Sequence, residues 1–295
     1  MAAGGIWPAV AGRIAQATAS PFSLERVSAV GGGCINDAHV MEGGGRRYFV
    51  KVNRAERAEM FAAEAEGLAE ILATRAIRAP EPVCHGVEGG TAWLALEYVE
   101  MRSHGDGAEL GRQLAALHRV TSPRFGWKRD NTIGSTAQPN AQSDDWITFY
   151  RDRRLGFQLQ LAARNGYGGR LRAKGERLRE NLARFFDGYS PPPSLLHGDL
   201  WGGNYGYDRS GAPVLFDPAV YFGDREADLA MTELFGGFPA AFYSAYGAEW
   251  PLDPGYAVRR QLYNLYHVIN HANLFGGGYA SQAETLLDRL LAELR

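Results

Sequence analysis

Cysteine and net charge are both scarce in this chain of 295 residues. Only Cys34 and Cys84 are present, and no Cys-x-x-Cys spacing occurs. That excludes a disulfide framework and a thiolate metal centre. The 31 lysines and arginines nearly balance the 33 aspartates and glutamates, leaving a net charge of -2. Such a balance excludes nucleic-acid binding driven by bulk charge. No apolar run approaches the roughly 18 residues of a membrane span. The first ten residues lack the basic and apolar regions of a secretory signal. These absences lead to the expectation of a reduced, cytoplasmic protein with neither a nucleic-acid nor a membrane partner.

What is present is an ordinary folded composition, 45% hydrophobic and 22% charged. The length suffices for two lobes, each with its own core. Phe22 to Val30 reads as a strand running into Gly31-Gly32-Gly33-Cys34-Ile35-Asn36, Ala38 to Met41 is extended, and Arg47 to Asn53 is a strand after the Gly43-Gly44-Gly45 turn. Residues 6–17 and 55–74 read as helices. In the second, Met60, Phe61, Leu68, Ile71 and Leu72 form an apolar stripe that contains Glu64, while Glu59, Glu66 and Glu70 fall outside it. A carboxylate on an inward face needs a partner. Trp93 to Val99 is a further strand, and a helix is expected over 108–120. The expected architecture is α+β and two-lobed: residues 1–100 hold an antiparallel sheet with one main helix, and residues 101–295 are mostly helical. Arg151, Arg153, Arg154, Arg172, Arg177, Arg179 and Arg184 are expected on a solvated helix face.

The strongest chemical signal is His197-Gly198-Asp199-Leu200-Trp201-Gly202-Gly203-Asn204. It matches a kinase catalytic loop, in which His and Asp precede an Asn by a fixed spacing. In that chemistry Asp199 accepts the proton of an attacking hydroxyl and Asn204 holds a metal ion. Gly198 stands where protein kinases carry Arg. Val214-Leu215-Phe216-Asp217 ends an apolar strand in an Asp 13 residues after Asn204, the place of a second metal ligand. Lys51, on Tyr48-Phe49-Val50-Lys51-Val52, fits a phosphate-binding lysine, and Glu64 is its expected ion-pair partner. Gly31, Gly32 and Gly33 precede that strand and suit a lid whose amides cover phosphates. Glu97, Tyr98 and Val99 fall at the expected hinge for adenine.

With these residues in place, the sequence resembles the fructosamine kinase (ketosamine 3-kinase) family over roughly residues 22–280. Besides the segments above, Phe125-Gly126-Trp127, Asp130-Asn131, Ile133-Gly134, Arg225-Glu226-Ala227-Asp228, Asn270-His271 and Asn273 to Gly277 carry the likeness. The resemblance implies a protein-kinase-like fold and transfer of phosphate from ATP to the 3-hydroxyl of a ketosamine, small or protein-bound, leading to deglycation. It implies Asp199 as base, Asn204 and Asp217 as magnesium ligands, and Gly31, Gly32, Gly33, Asn36, Lys51 and Glu64 around ATP. Trp201, Trp127 and His271 are candidates for the acceptor side, with core packing as the alternative for Trp201 and for the helix around His271. Cys34, in the glycine turn, is a redox candidate that could link two chains, so a monomer or a redox-dependent dimer is expected. Two other readings stay open: a kinase for an aminoglycoside, choline or homoserine, and a non-catalytic ATP-binding scaffold.

Overall fold

The computed structural model describes residues 5–31 and 35–294. Gly32, Gly33 and Cys34 lie outside the described residues, and so do the expectations placed on them. The chain divides into two units. The first comprises residues up to Asp106 together with Gly206–Asp217, and the second comprises Gly107–Tyr205 and the chain from Pro218 onward.

In the first unit, helix α1 (Trp7–Ala17) precedes strands β1 (Arg26–Val30), β2 (Asp37–Gly43) and β3 (Arg46–Arg54). Helix α2 (Ala58–Thr74) follows a 3-10 turn at Ala55–Arg57, so the expected 55–74 helix starts as a tighter turn. Strands β4 (Pro82–Glu88) and β5 (Thr91–Glu97) complete an antiparallel sheet of order β1-β2-β3-β5-β4. Alternation along β3 splits its side chains between two faces. Tyr48, Val50 and Val52 join Val10, Ile14, Phe22, Met41 and Trp93 in the core beneath α1. Lys51 faces the other way, toward α2. The first strand is shorter than expected, since Phe22 packs in the core as irregular chain and pairing begins at Arg26. Strand β4 has no counterpart among the sequence expectations because Pro80 and Pro82 read as breaks. At a sheet edge a proline costs no ladder bond, and β4 is an edge.

In the second unit, α3 (Gly107–His118) precedes a small hairpin, β6 (Asn131–Ile133) and β7 (Thr136–Gln138). Then come α4 (Trp146–Phe149), a π-helical turn (Tyr150–Gly156), α5 (Phe157–Arg164) and α6 (Gly169–Glu180). Strand β8 (Ser194–Leu196) leads into the His197–Asn204 loop. Strands β9 (Tyr205–Tyr207) and β10 (Pro213–Leu215) carry the chain through its return to the first unit, where Leu215 N–H donates to the Arg78 carbonyl at 2.9 Å. Strand β11 (Tyr221–Gly223) pairs with β8. Helices α7 (Glu226–Leu234), α8 (Ala240–Glu249), α9 (Tyr256–Phe275) and α10 (Tyr279–Ala292) follow. Helix α9 is the central one, packed against α5, α7 and α10. No described helix is long and apolar enough to cross a membrane.

The arginine face is corrected at one position. Arg153, Arg172, Arg177 and Arg184 are exposed and Arg151 and Arg179 half-buried, but Arg154 is fully buried. A π turn places residue i+5, rather than i+4, beneath residue i. Arg154 accordingly lies against Phe149, its guanidinium carbon 4.6 Å from the ring centre.

Candidate active site

The first unit brings together three residues far apart in sequence. The Lys51 ammonium donates to Glu64 Oε1 at 2.5 Å and to Asp217 Oδ1 at 2.6 Å. The ion pair expected between Lys51 and Glu64 is therefore present, on the face of β3 that meets α2. Burial works against the charge on Lys51, yet the two carboxylates outweigh it and keep the lysine protonated. The Asp217 side chain is 46% exposed, and its backbone is left-handed, with φ of 58°. A non-glycine residue at such an angle stores strain that surrounding contacts must hold. Asn36 lies just before β2, where its Oδ1 accepts from Asn53 Nδ2 at 2.7 Å. Glu97 is the last residue of β5 and pairs with Arg78 at 2.6 Å. Tyr98 lies under the Arg47 guanidinium at 4.2 Å. Gly31 and Val99 lie just beyond β1 and β5.

The second unit supplies the loop chemistry. The backbone amide of Asp199 donates to His197 Nδ1 at 3.3 Å. Asn204 Nδ2 donates to the Asp199 carbonyl at 2.8 Å and to Asp199 Oδ2 at 3.3 Å. With the amide nitrogen turned to Asp199, the carbonyl oxygen of Asn204 is left as the atom for a cation. Gly198 has φ of 84°, and a Cβ there would lie 2.0 Å from the Ala219 carbonyl oxygen. The replacement of arginine by glycine is thus required by backbone approach.

Asp228, buried in the first turn of α7, anchors the loop from below. It accepts from the backbone amides of His197 at 2.7 Å and Gly198 at 2.8 Å, and contacts His118 Nε2 at 3.2 Å. Burial raises its pKa, but the His118 contact, the nearby histidines and the Gly198 amide more than offset that and hold it below the ordinary value. His118 is in turn fixed by the Tyr246 hydroxyl at 2.8 Å. Asp228 and His118 carry no role in the sequence reading. The one signal for Asp228 was its place in the Arg225-to-Asp228 run.

The candidate acceptor residues separate. Trp127 is only 3% exposed, which fits core packing and leaves almost no surface for a ligand. Trp201 is 39% exposed. Its ring lies over Gly203, where a Cβ would come within 2.3 Å of it. Phe235 packs edge-on to Trp201 at 6.3 Å, and His271 contacts Phe235 at 4.8 Å and Tyr279 at 5.1 Å. Burial lowers the pKa of His271, so this aromatic group is electrically neutral.

A five-stranded antiparallel sheet bearing a Lys–Glu pair, and a helical unit bearing an Asp–Asn loop tied to a buried aspartate, define a phosphotransferase of the kinase-like fold. The chain belongs to the fructosamine kinase family, whose model matches residues 6–293. It is 46% identical over 288 residues to a probable ketoamine kinase of Synechocystis, covering 97% of each chain. It is 45% identical over 277 residues to a chloroplastic protein-ribulosamine 3-kinase of Arabidopsis thaliana, covering 92% of this chain and 84% of that protein. A crystal structure from Haemophilus somnus 129PT, provisionally assigned as a fructosamine-3-kinase, superposes with a TM-score of 0.89 at 27% identity over 97% of both chains.

Proposed function

We propose that this chain transfers the γ-phosphoryl group of ATP to the 3-hydroxyl of a ketosamine, small or protein-bound. The observation that carries the reading is the Asp199–Asn204 loop pinned through its amides to buried Asp228. In the reaction the acceptor hydroxyl oxygen bonds to the γ-phosphorus, the bond from that phosphorus to the β-phosphate bridging oxygen breaks, and ADP leaves. Asp199 takes the hydroxyl proton. Lys51, held by Glu64, neutralises phosphate charge, and Gly31 and Asn36 join it around ATP. The backbone of Glu97, Tyr98 and Val99 would meet the adenine.

Asn204 and Asp217 fit magnesium, because both offer oxygen donors and neither needs a full protein cage when phosphates supply the rest. Magnesium would offset the charge of the phosphates. The names of the relatives support a ketosamine over an aminoglycoside or choline. Trp201 and His271 offer a neutral aromatic shelf for the C–H face of a sugar or for its amine.

The test is magnesium-dependent ADP release with ribulose-lysine, fructose-lysine, an aminoglycoside or no acceptor, for the wild type and Asp199→Asn. Release stimulated by a ketosamine and lowered by about 10²–10⁴ in the variant is expected. Stimulation by the aminoglycoside alone, or by no acceptor, overturns the reading.

A further inference from the structure

Among the described residues Arg154 is the largest fully buried side chain, and no described carboxylate pairs with it. Its guanidinium lies over the Tyr221 ring at 4.0 Å and donates to the Pro139 carbonyl and to Asn140 Oδ1, each at 2.7 Å, while Nε has no partner. Burying a cation so incompletely paired is costly. What it touches explains its presence. A guanidinium can only donate, so it fixes the oxygen of Asn140 toward itself. The Asn140 amide nitrogen must then face away, and it donates to Asn131 Oδ1 at 2.8 Å. Asn131 is thereby turned as well, and its nitrogen donates to the Val220 carbonyl at 2.8 Å. Gln138 joins from the other side. The Tyr266 hydroxyl donates to its Oε1 at 2.8 Å, and its nitrogen donates to Asn131 Oδ1 at 2.9 Å and to the Ala219 carbonyl at 3.0 Å.

Two side-chain amides therefore grip two consecutive carbonyls, those of Ala219 and Val220. Ala219 in turn donates its N–H to the His197 carbonyl at 2.8 Å, and its own carbonyl sits where Gly198 makes room for it. We propose that Arg154 is a positioning residue for the catalytic loop: it sets the direction of the Asn140–Asn131 amide relay that fixes the Ala219–Val220 segment, just before β11, against His197 and Gly198. A side-chain amide can be reversed end for end at little cost in shape, so a relay of amides has no inherent direction. Arg154, an obligatory donor, sets it at the head, and the Arg129 and Val220 carbonyls, which only accept, at 3.1 Å and 2.8 Å, agree with that direction.

The activity readout rests on the proposed phosphoryl transfer, so the test pairs it with one that does not. Hydrogen exchange of the full chain is compared for wild type, Arg154→Met and Asn140→Asp, alongside kcat and KM in the ADP-release assay. Asn140→Asp keeps an acceptor for Arg154 but cannot donate onward to Asn131, so it separates the relay from the burial of Arg154. Both variants are expected to speed exchange in peptides spanning residues 195–205 about tenfold or more, with the sheet at 37–54 unchanged. Both should lower kcat per folded molecule by about 10–100-fold, with KM for ATP within about threefold. Unchanged exchange at 195–205 in folded Asn140→Asp overturns the proposal, even if Arg154→Met fails to fold. If the wild type releases no ADP with any ketosamine, the functional reading fails, and the exchange result alone decides the role of Arg154.

Discussion

At the scale of single residues, burial decides which titrating groups count. His267 on α9 is 4% exposed, and its Nδ1 has no hydrogen-bond partner. Burial, aided by the neighbouring His271, lowers its pKa to about 3. The unfolded chain binds a proton at this residue near its ordinary value of about 6.5, well above the folded chain. Between those values the unfolded state holds more protons, so folding stability falls as pH falls, by about 1.4 kcal/mol per pH unit for this one group. His267→Gln should remove that slope. Urea unfolding at pH 7, 5 and 4 should show the variant losing less stability than wild type, and parallel losses would reject the assignment. Lys51 behaves in the opposite sense, since its two carboxylates keep it charged throughout this range.

At the scale of elements, the His197–Asn204 loop depends on close approach of backbone to backbone. Gly198 combines a left-handed φ with contact to the Ala219 carbonyl, so an alanine there meets both backbone strain and a clash. Gly198→Ala should lower kcat about 100-fold or more, because a displacement near 1 Å at a catalytic group has that effect. It should also lower stability by about 1–3 kcal/mol. ADP release and thermal melting measure both, and near-normal turnover would show that the loop tolerates the shift. The π turn at Tyr150–Gly156 is the second element of this kind. A uniform helical period puts Arg154 with its exposed neighbours, and one inserted residue moves it into the core.

At the scale of the whole molecule, the second unit is also tied together by buried charges. Arg259 on α9 donates to Glu226 on α7 at 2.7 Å and 3.1 Å, to Asp253 at 2.7 Å and to the Phe185 carbonyl at 3.3 Å. Burial pushes the Glu226 carboxyl up to about 7 even with the arginine beside it. Removing one partner of such a pair leaves the other buried and unmatched, at a cost of about 3–5 kcal/mol. Arg259→Met should therefore lower stability by that amount at pH 7, measured by urea unfolding. A change under about 1 kcal/mol would mean that Glu226 simply takes up a proton at little cost.

The sequence by itself determined the placing of the candidate residues. The spacing of Asp199, Asn204 and Asp217, the alternation that put Lys51 on one face of its strand, and the helical phase that turned Glu64 inward are all local periodicities, and periodicity is written in the chain. Only the tertiary structure decided what those groups rest on. Asp228 and His118 gain their roles through hydrogen bonds between residues about thirty and eighty positions or more from the loop. The return of residues 206–217 to the first unit, the burial of Trp127 and the inward turn of Arg154 likewise depend on contacts distant in sequence. A buried polar group is recognisable only when its partners are known, because burial without them is unfavourable and burial with them is not. Strand β4 was hidden for the same reason: Pro80 before it and Pro82 at its start read as breaks until the sheet order made it an edge.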